Sequence, residues 1–166
     1  VMRLNGGRYA IYVAAAGAFT RATYTAKPSS KKRFGILAYA FEVLRNELRL
    51  RVFPLKITCG EQVLETHSVL ILAMNGRSVA GMHVNSRGSM CDGMLEMAVI
   101  RQKERPGFFR RLGAYVSLVA LFLFRGRVRK KQIAMLRGDR FRIETAEDVV
   151  WDLDGEEGMR GTIAVE

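Results

Sequence analysis

Val149-Val150-Trp151-Asp152-Leu153-Asp154-Gly155-Glu156-Glu157 carries an apolar, β-rich run straight into Asp-Gly-Glu. β-Branched and aromatic residues alternating with polar ones read as a strand, and Asp-Gly reads as the turn that ends it. On an extended strand end, Val149, Trp151 and Leu153 face the core while Asp152 and Asp154 face away. Glu156, two residues beyond Asp154, would project to the same side as Asp154. A carboxylate fixed where a sheet gives way to a loop can accept a proton from a hydroxyl, hold a cation or cap the turn. From the pattern alone an ordinary turn is the commoner reading, and the chemistry stays open.

Beyond that stretch, Thr162 to Val165 reads as a further strand. Before it, Ile133–Leu136 and Phe141–Glu144 flank Arg137-Gly138-Asp139-Arg140, a hairpin with Gly first in its turn. Gly107 to Arg125 reads as a helix, apolar nearly all round from Leu112 to Phe124 and flanked by Arg110, Arg111 and Arg125. Those 13 residues fall short of the roughly 20 that span a bilayer. A buried or groove-lining helix is expected, with an interfacial one as the alternative. Arg127, Arg129, Lys130 and Lys131 follow as a basic cluster.

Nearer the N-terminus, Met94–Arg101 alternates as a strand after the 16-residue loop Arg77–Asp92, which lacks periodicity and is long for a compact domain. Leu50–Thr58 and Val63–Met74 read as strands joined through a two-residue Gly60-Glu61 hairpin link. Phe34, Leu37, Ala38, Phe41, Leu44 and Leu48 recur at helical spacing, behind the basic connector Lys27–Arg33. Arg8–Ala14 reads as a strand running into the small residues Ala15-Ala16-Gly17-Ala18, where a tight packed corner is the default over a phosphate loop. Strands joined by hairpin signals, with two inserted helices, predict a mainly β (α+β) fold: an antiparallel β-sandwich.

At 166 residues the chain is one domain by length. Cys59 and Cys91 form no CxxC pair, and His67 and His83 sit in no ligand spacing, so neither a disulfide framework nor a zinc cluster is indicated. No GxxxxGK[ST] loop or strand-borne GxGxxG is present. With 27 Lys+Arg against 16 Asp+Glu the formal charge is +11, a balance that favours polyanions: nucleic acid, an anionic membrane or phosphorylated small molecules. The basic residues are spread over several loops without an aromatic platform, which disfavours nucleic acid. The chain opens on Val1 with no leader pattern, as expected of a piece of a longer protein.

Tyr12-Val13-Ala14-Ala15-Ala16-Gly17, Phe34-Gly35-Ile36-Leu37-Ala38-Tyr39, Asn75-Gly76 with Ala80-Gly81, Asp92-Gly93-Met94-Leu95 and Leu153-Asp154-Gly155-Glu156 occur in this order. Together they resemble the C-terminal domain of bacterial diacylglycerol kinases, within a wider family that includes sphingosine and other lipid kinases. The resemblance implies that residues 1–166 are the β-sandwich, lipid-binding second domain of a NAD kinase/diacylglycerol kinase-like enzyme. The N-terminal nucleotide-binding domain, with its Gly-Gly-Asp-Gly-Thr loop, would lie outside this chain. ATP and Mg2+ would occupy the cleft between the domains. It implies further that Asp154 matches the catalytic aspartate that takes the proton of a lipid hydroxyl, and that Gly155 and Glu156 lie beside the nucleotide and its metal. Asp92 matches an acidic position that holds a structural Mg2+ in some members. Here Ser89, Met90 and Cys91 add no second carboxylate before it, and one carboxylate makes a weak site for a hard cation. The implied partners are a diacylglycerol-like lipid and an anionic membrane surface, for a cytoplasmic, peripherally membrane-associated kinase, and a homodimer is compatible with this. The alternatives are a non-catalytic basic β-domain binding anionic membrane or nucleic acid, and a related kinase for a sphingoid base or another lipid.

Overall fold

A computed structural model describes residues 1–18, 51–79, 82–86, 88–123 and 131–166, without the side chains of Met82, Phe122 and Leu123. The expected Phe34 helix, the Lys27–Arg33 connector, Ala80-Gly81 and most of the Arg127–Lys131 cluster lie outside the described residues.

The elements run β1 (Met2–Leu4), β2 (Arg8–Ala10), β3 (Val13–Gly17), β4 (Phe53–Cys59), β5 (Gln62–Met74), β6 (Ser78–Val79), β7 (Met82–His83), β8 (Leu95–Gln102), α1 (Phe108–Leu123), β9 (Ile133–Gly138), β10 (Phe141–Thr145), β11 (Val150–Leu153), β12 (Glu156–Arg160) and β13 (Ile163–Val165). Eleven strands form one curled sheet ordered β12-β11-β3-β5-β4-β10-β13-β1-β2, with β8 and β9 added on the other edge of β5. Every pairing described is antiparallel, as the hairpin signals predicted.

Strand β5 makes the sheet into two layers. Its first half pairs with β4 from Gln62 to Ser68, and its second half pairs with β3 from Leu70 to Met74. The change comes at Val69, the extra residue of a bulge opposite β8. Ser68, fully buried, fills the gap, its hydroxyl lying 2.8 Å from Leu70 O and 3.0 Å from Ile100 O. The first core lies between the layers: Met2, Leu4, Phe53, Ile57, Phe141, Ile143, Ile163 and Val165 meet Ala14, Ala16, Ile71, Met97, Val99 and Trp151.

The intervening residues of β3, β5 and β8 face a second core. Val13, Ala15, Leu70, Leu72, Met74, Ala98 and Ile100 pack there with Ala114, Leu118 and Leu121 of α1. One layer is thus buried on both faces, so Val69–Met74 and Leu95–Ile100 read as nearly unbroken apolar runs. The expected buried helix covers this face, starting where Gly107 O accepts the N–H groups of Arg110 and Arg111 at 3.1 Å each.

Three expectations change. The strand expected over Arg8–Ala14 is two strands, broken at Ile11-Tyr12, and Ala15, Ala16 and Gly17 belong to the second. The tight corner is real at Gly17, where φ is +105° and a Cβ would stand 2.3 Å from Val69 O. Strands β9 and β10 are consecutive but do not pair: β9 pairs with β8 in one layer, β10 with β4 and β13 in the other. Their link is Asp139-Arg140, and β9 closes on Gly138, where a Cβ would meet Cys59 Sγ at 2.2 Å.

Candidate functional site

Leu153 and Glu156 pair across a two-residue hairpin loop, Asp154-Gly155. Asp154 has φ +55° and Gly155 φ +99°, the doubly left-handed signature of a type I′ turn, where Asp-Gly is favoured. A Cβ on Gly155 would meet nothing within 4 Å, so the turn stands clear of its surroundings. Asp152, expected to face away, is buried, and its Oδ1 accepts the Gly155 N–H at 2.7 Å. A carboxylate inside the turn thus braces it from below.

Asp154 is not on an extended strand, so the two-residue alternation expected to align it with Glu156 does not apply to it. Its carboxylate turns back to the break between β2 and β3. Ile11 N–H donates to Oδ2 at 2.5 Å, and Tyr12 and Val13 N–H donate to Oδ1 at 2.9 and 2.8 Å. The Asp154 N–H also reaches Val13 O at 3.0 Å. These three donors are the amides freed where the strand breaks, so Asp154 binds that corner as a latch. A carboxylate offers about four acceptor positions, so roughly one stays open. Glu156 is exposed as the first residue of β12.

Register places the other motifs on the same rim. Ala14 is opposite Leu153, Val13 opposite Met74, Met74 opposite Glu96, and Glu96 opposite Arg137. The C-terminal ends of β11, β5 and β9 therefore meet the N-terminal ends of β3 and β8 at one end of the sheet. Asn75 ties the corner across the strand: its N–H donates to Tyr12 O at 2.9 Å and its Nδ2 to Ile11 O at 3.1 Å. The loop Arg77–Asp92, which lacks periodicity in sequence, is held by contacts of its described residues, and Asn85 ties it to the rim through Gly76 O and Glu96. Within it β6 pairs β7, Arg77 O accepts the Val84 and Asn85 N–H groups, and Arg77 Nε donates to Gly88 O at 3.0 Å.

Asp92, the expected metal ligand, sits at the far side of this loop. Its Oδ1 accepts the Met94 N–H at 3.0 Å and its Oδ2 meets Arg137 Nη2 at 2.9 Å. The Met94 N–H first, and then the Arg137 guanidinium, hold the Asp92 carboxyl below the usual carboxylate value, against some desolvation. Arg137 Nε also lies 3.2 Å from Oε1 of the buried Glu96, whose Oε2 accepts Asn85 Nδ2 at 2.8 Å. Two carboxylates thus share a guanidinium. A hard divalent cation seeks six or more oxygens, and no group of three ligating side chains gathers among the described residues. The donor set at Asp92 fits Arg137 better than a metal.

Sequence reading missed Glu96, Asn85 and Arg137. A Glu inside the apolar run Leu95–Ile100 was the available signal, since a buried acid calls for a partner. Its partner lies 41 residues on, at a pairing that local pattern does not reveal. Cys59 is unremarkable chemistry: burial, and behind it Asp139, push its thiol above the ordinary value.

Residues 12–165 match the family described as YegS C-terminal NAD kinase beta sandwich-like domain. A curated relative, the diacylglycerol kinase of Bacillus subtilis (strain 168), is 25% identical over 154 residues, covering 92% of this chain and 48% of that protein. A solved diacylglycerol kinase of Bacillus anthracis str. Sterne superposes with a TM-score of 0.64 at 19% identity, over 100% of this chain and 48% of that one. A second solved protein of that strain, assigned as a diacylglycerol kinase, gives 0.71 at 20% identity over 100% and 52%. A third such assignment gives 0.74 at 21% over 100% and 52%. The chain spans about half the length of these relatives. Matched over nearly all its length and folded as the two-layered antiparallel sandwich just described, the chain belongs to the YegS C-terminal NAD kinase beta sandwich-like domain family.

Proposed function

We propose that this chain is the C-terminal half of an ATP-dependent lipid kinase of the diacylglycerol kinase type, and that its Asp154-Gly155-Glu156 rim forms one wall of the active cleft. The observation that carries the reading is the rim itself. Asn75-Gly76, Asp92-Gly93 and Leu153-Asp154-Gly155-Glu156, far apart in sequence, come to one end of one sheet layer and are bonded into it. A relative 25% identical over 154 residues is named for this activity.

In this reading the nucleotide-binding half closes over the exposed Ile11, Tyr12 and Gly155. Mg2+-bound ATP would supply the phosphoryl group, and Glu156, exposed at the start of β12, would be the carboxylate available to the ion. Asp154 presents its remaining acceptor position to the lipid hydroxyl. Phosphoryl transfer asks little of a base. Its transition state is loose and the proton leaves late, so orientation of the hydroxyl matters more than basicity. Asp154 then has two duties: to hold the β2–β3 corner and to orient the attacking oxygen. The enzyme would work in the cytoplasm, at the membrane that holds its substrate.

The test is phosphorylation of diacylglycerol by the full-length protein carrying Asp154→Asn, with urea unfolding measured beside it. Loss of the proton acceptor predicts a fall in kcat of about 10²-fold or more. Loss of part of the latch predicts on the order of 1–2 kcal/mol less stability. Near-normal turnover in a folded variant would remove Asp154 from the chemistry. No turnover with diacylglycerol or a sphingoid base by the unmodified protein would remove the kinase.

A further inference from the structure

Helix α1 has two apolar faces, and the fold uses one. Ala114, Leu118 and Leu121 are buried against the sheet. On the opposite side Phe108 is 75% exposed, Phe109 84%, Leu112 49% and Val116 47%. At 100° per residue these four positions fall within an arc of about 100° and run about 12 Å along the axis. The two phenyl rings meet edge to face, with centroids 5.6 Å apart, at the very start of the helix. Exposed apolar residues scattered singly need no explanation, but a continuous stripe opposite an already satisfied face does.

The stripe is set among cations. Lys103, Arg105, Arg110 and Arg111 are all exposed around it, against the single acidic Glu104. Arg111 lies about 60° from Phe108 at one side of the stripe, and Arg110, also exposed at the same end of the helix, lies about 100° past Phe109. Aromatic and aliphatic groups below guanidinium groups match the two strata of an anionic lipid surface: rings enter the acyl boundary while Arg side chains stay with the phosphates. A protein partner of complementary shape would have to supply both an apolar groove and acidic rims. A bilayer rich in anionic lipid supplies both along its whole surface. No helix among the described residues is long and apolar enough to cross a membrane, so α1 would lie in the interface.

We infer that the outward face of α1, led by Phe108 and Phe109, with Arg111 beside it and Arg110 exposed at the same end of the helix, is a membrane-docking surface for anionic bilayers. This deepens the lipid-kinase reading and rests on it for the reason a membrane must be reached. Binding itself needs no nucleotide and is read without it.

The chain is mixed with phosphatidylcholine vesicles, with and without phosphatidylglycerol, and bound protein is measured by sedimentation. Binding is expected on the anionic vesicles. Phe108→Ser/Phe109→Ser should weaken it at least tenfold, with the circular dichroism melt unchanged because both rings are exposed. Arg110→Gln/Arg111→Gln should weaken it roughly tenfold on anionic vesicles, and added salt should do the same to the parent chain. In a Phe109→Trp variant the new indole should shift to the blue on anionic vesicles, while Trp151, fully buried, stays constant. Failure of the parent chain to bind, equal binding by the double Ser variant, or an indole that stays water-exposed would each overturn the surface. So would self-association without vesicles that the double Ser variant abolishes, which would give the face to a second copy. Vesicle binding by this chain, together with no turnover of diacylglycerol or a sphingoid base by the full-length protein, would sink the kinase and leave this surface standing.

Discussion

Asp154 and Arg137 do related work at the two sides of the rim. Asp154 gathers three amides left by a broken strand, and Arg137 gathers two carboxylates. The second arrangement makes a sharp prediction. Arg137→Ala leaves Glu96, which is 5% exposed, with Asn85 and no cation. Breaking a fully buried pair costs about 3–5 kcal/mol; here half the Arg137 side chain meets solvent, so about 2–3 kcal/mol is expected. Arg137→Ala/Glu96→Gln should recover most of that, which a plain packing loss at Arg137 would not allow. The pH dependence has a definite sign. Asp92 has a lowered folded value, so its share of stability is present above the unfolded value near 3.8 and is lost as pH falls through the folded one. The gap between parent and Arg137→Ala in urea unfolding should therefore narrow, by the share that Arg137 gives to Asp92, as pH drops below about 4. A gap that stays constant into acid would show that Asp92 takes no stability from Arg137.

Among the elements, β5 decides the architecture, and its hinge is the Val69 bulge against Gly17. The Gly17 backbone sits at φ +105°, Val69 O accepts the Ala18 N–H at 2.7 Å, and Phe53 Cε1 lies 2.9 Å from where a Cβ would be. Gly17→Ala should cost at least about 3 kcal/mol, from strain plus displacement of the bulge, and urea unfolding reads it directly. A loss under about 1 kcal/mol would mean that the corner can open without harm. This hinge also explains what the sequence could and could not reveal. The small residues Ala15-Ala16-Gly17-Ala18 and the Gly60-Glu61 link announced close approach and a hairpin, and both are present. Apolar runs at 69–74 and 95–100 announced strands, but not that both faces are covered, because nothing local shows that α1 lies above them. Strand β12, Glu156-Glu157-Gly158-Met159-Arg160, is an edge with exposed or half-exposed polar faces and carried no period to read. At the site, Asp-Gly was legible as a turn. Its reach back to Ile11, Tyr12 and Val13 was not, since a contact across more than 140 residues depends on the register of β3 and β11.

For the whole molecule the governing quantity is the charge of +11, and it should push stability and membrane docking in opposite directions as salt is added. Ion pairs among the described residues mostly join exposed partners, as in Arg3–Glu166, Lys56–Glu65 and Arg160–Glu157. Such pairs contribute about 0–1 kcal/mol each, and salt removes little when it screens them. Against them stands the mutual repulsion of 27 basic groups with only 16 acidic ones to offset them. Folding brings those groups closer, so repulsion weighs on the folded state more than on the unfolded chain. Raising ionic strength from about 0.01 to 0.15 M shortens the screening length from about 30 to 8 Å, less than the spacing of most like charges. Repulsion then fades further than attraction does, and the balance shifts toward folding; each 1 kcal/mol of that shift is worth about 2–4 °C in Tm at this size. The rise in Tm is measurable by circular dichroism in NaCl. Over the same salt range, partitioning onto anionic vesicles should fall, because the contacts of Arg110 and Arg111 with lipid phosphates are screened. A Tm that falls with salt would mean that attraction within ion pairs outweighs that repulsion, and vesicle binding that does not fall with salt would take from the docking surface its electrostatic half.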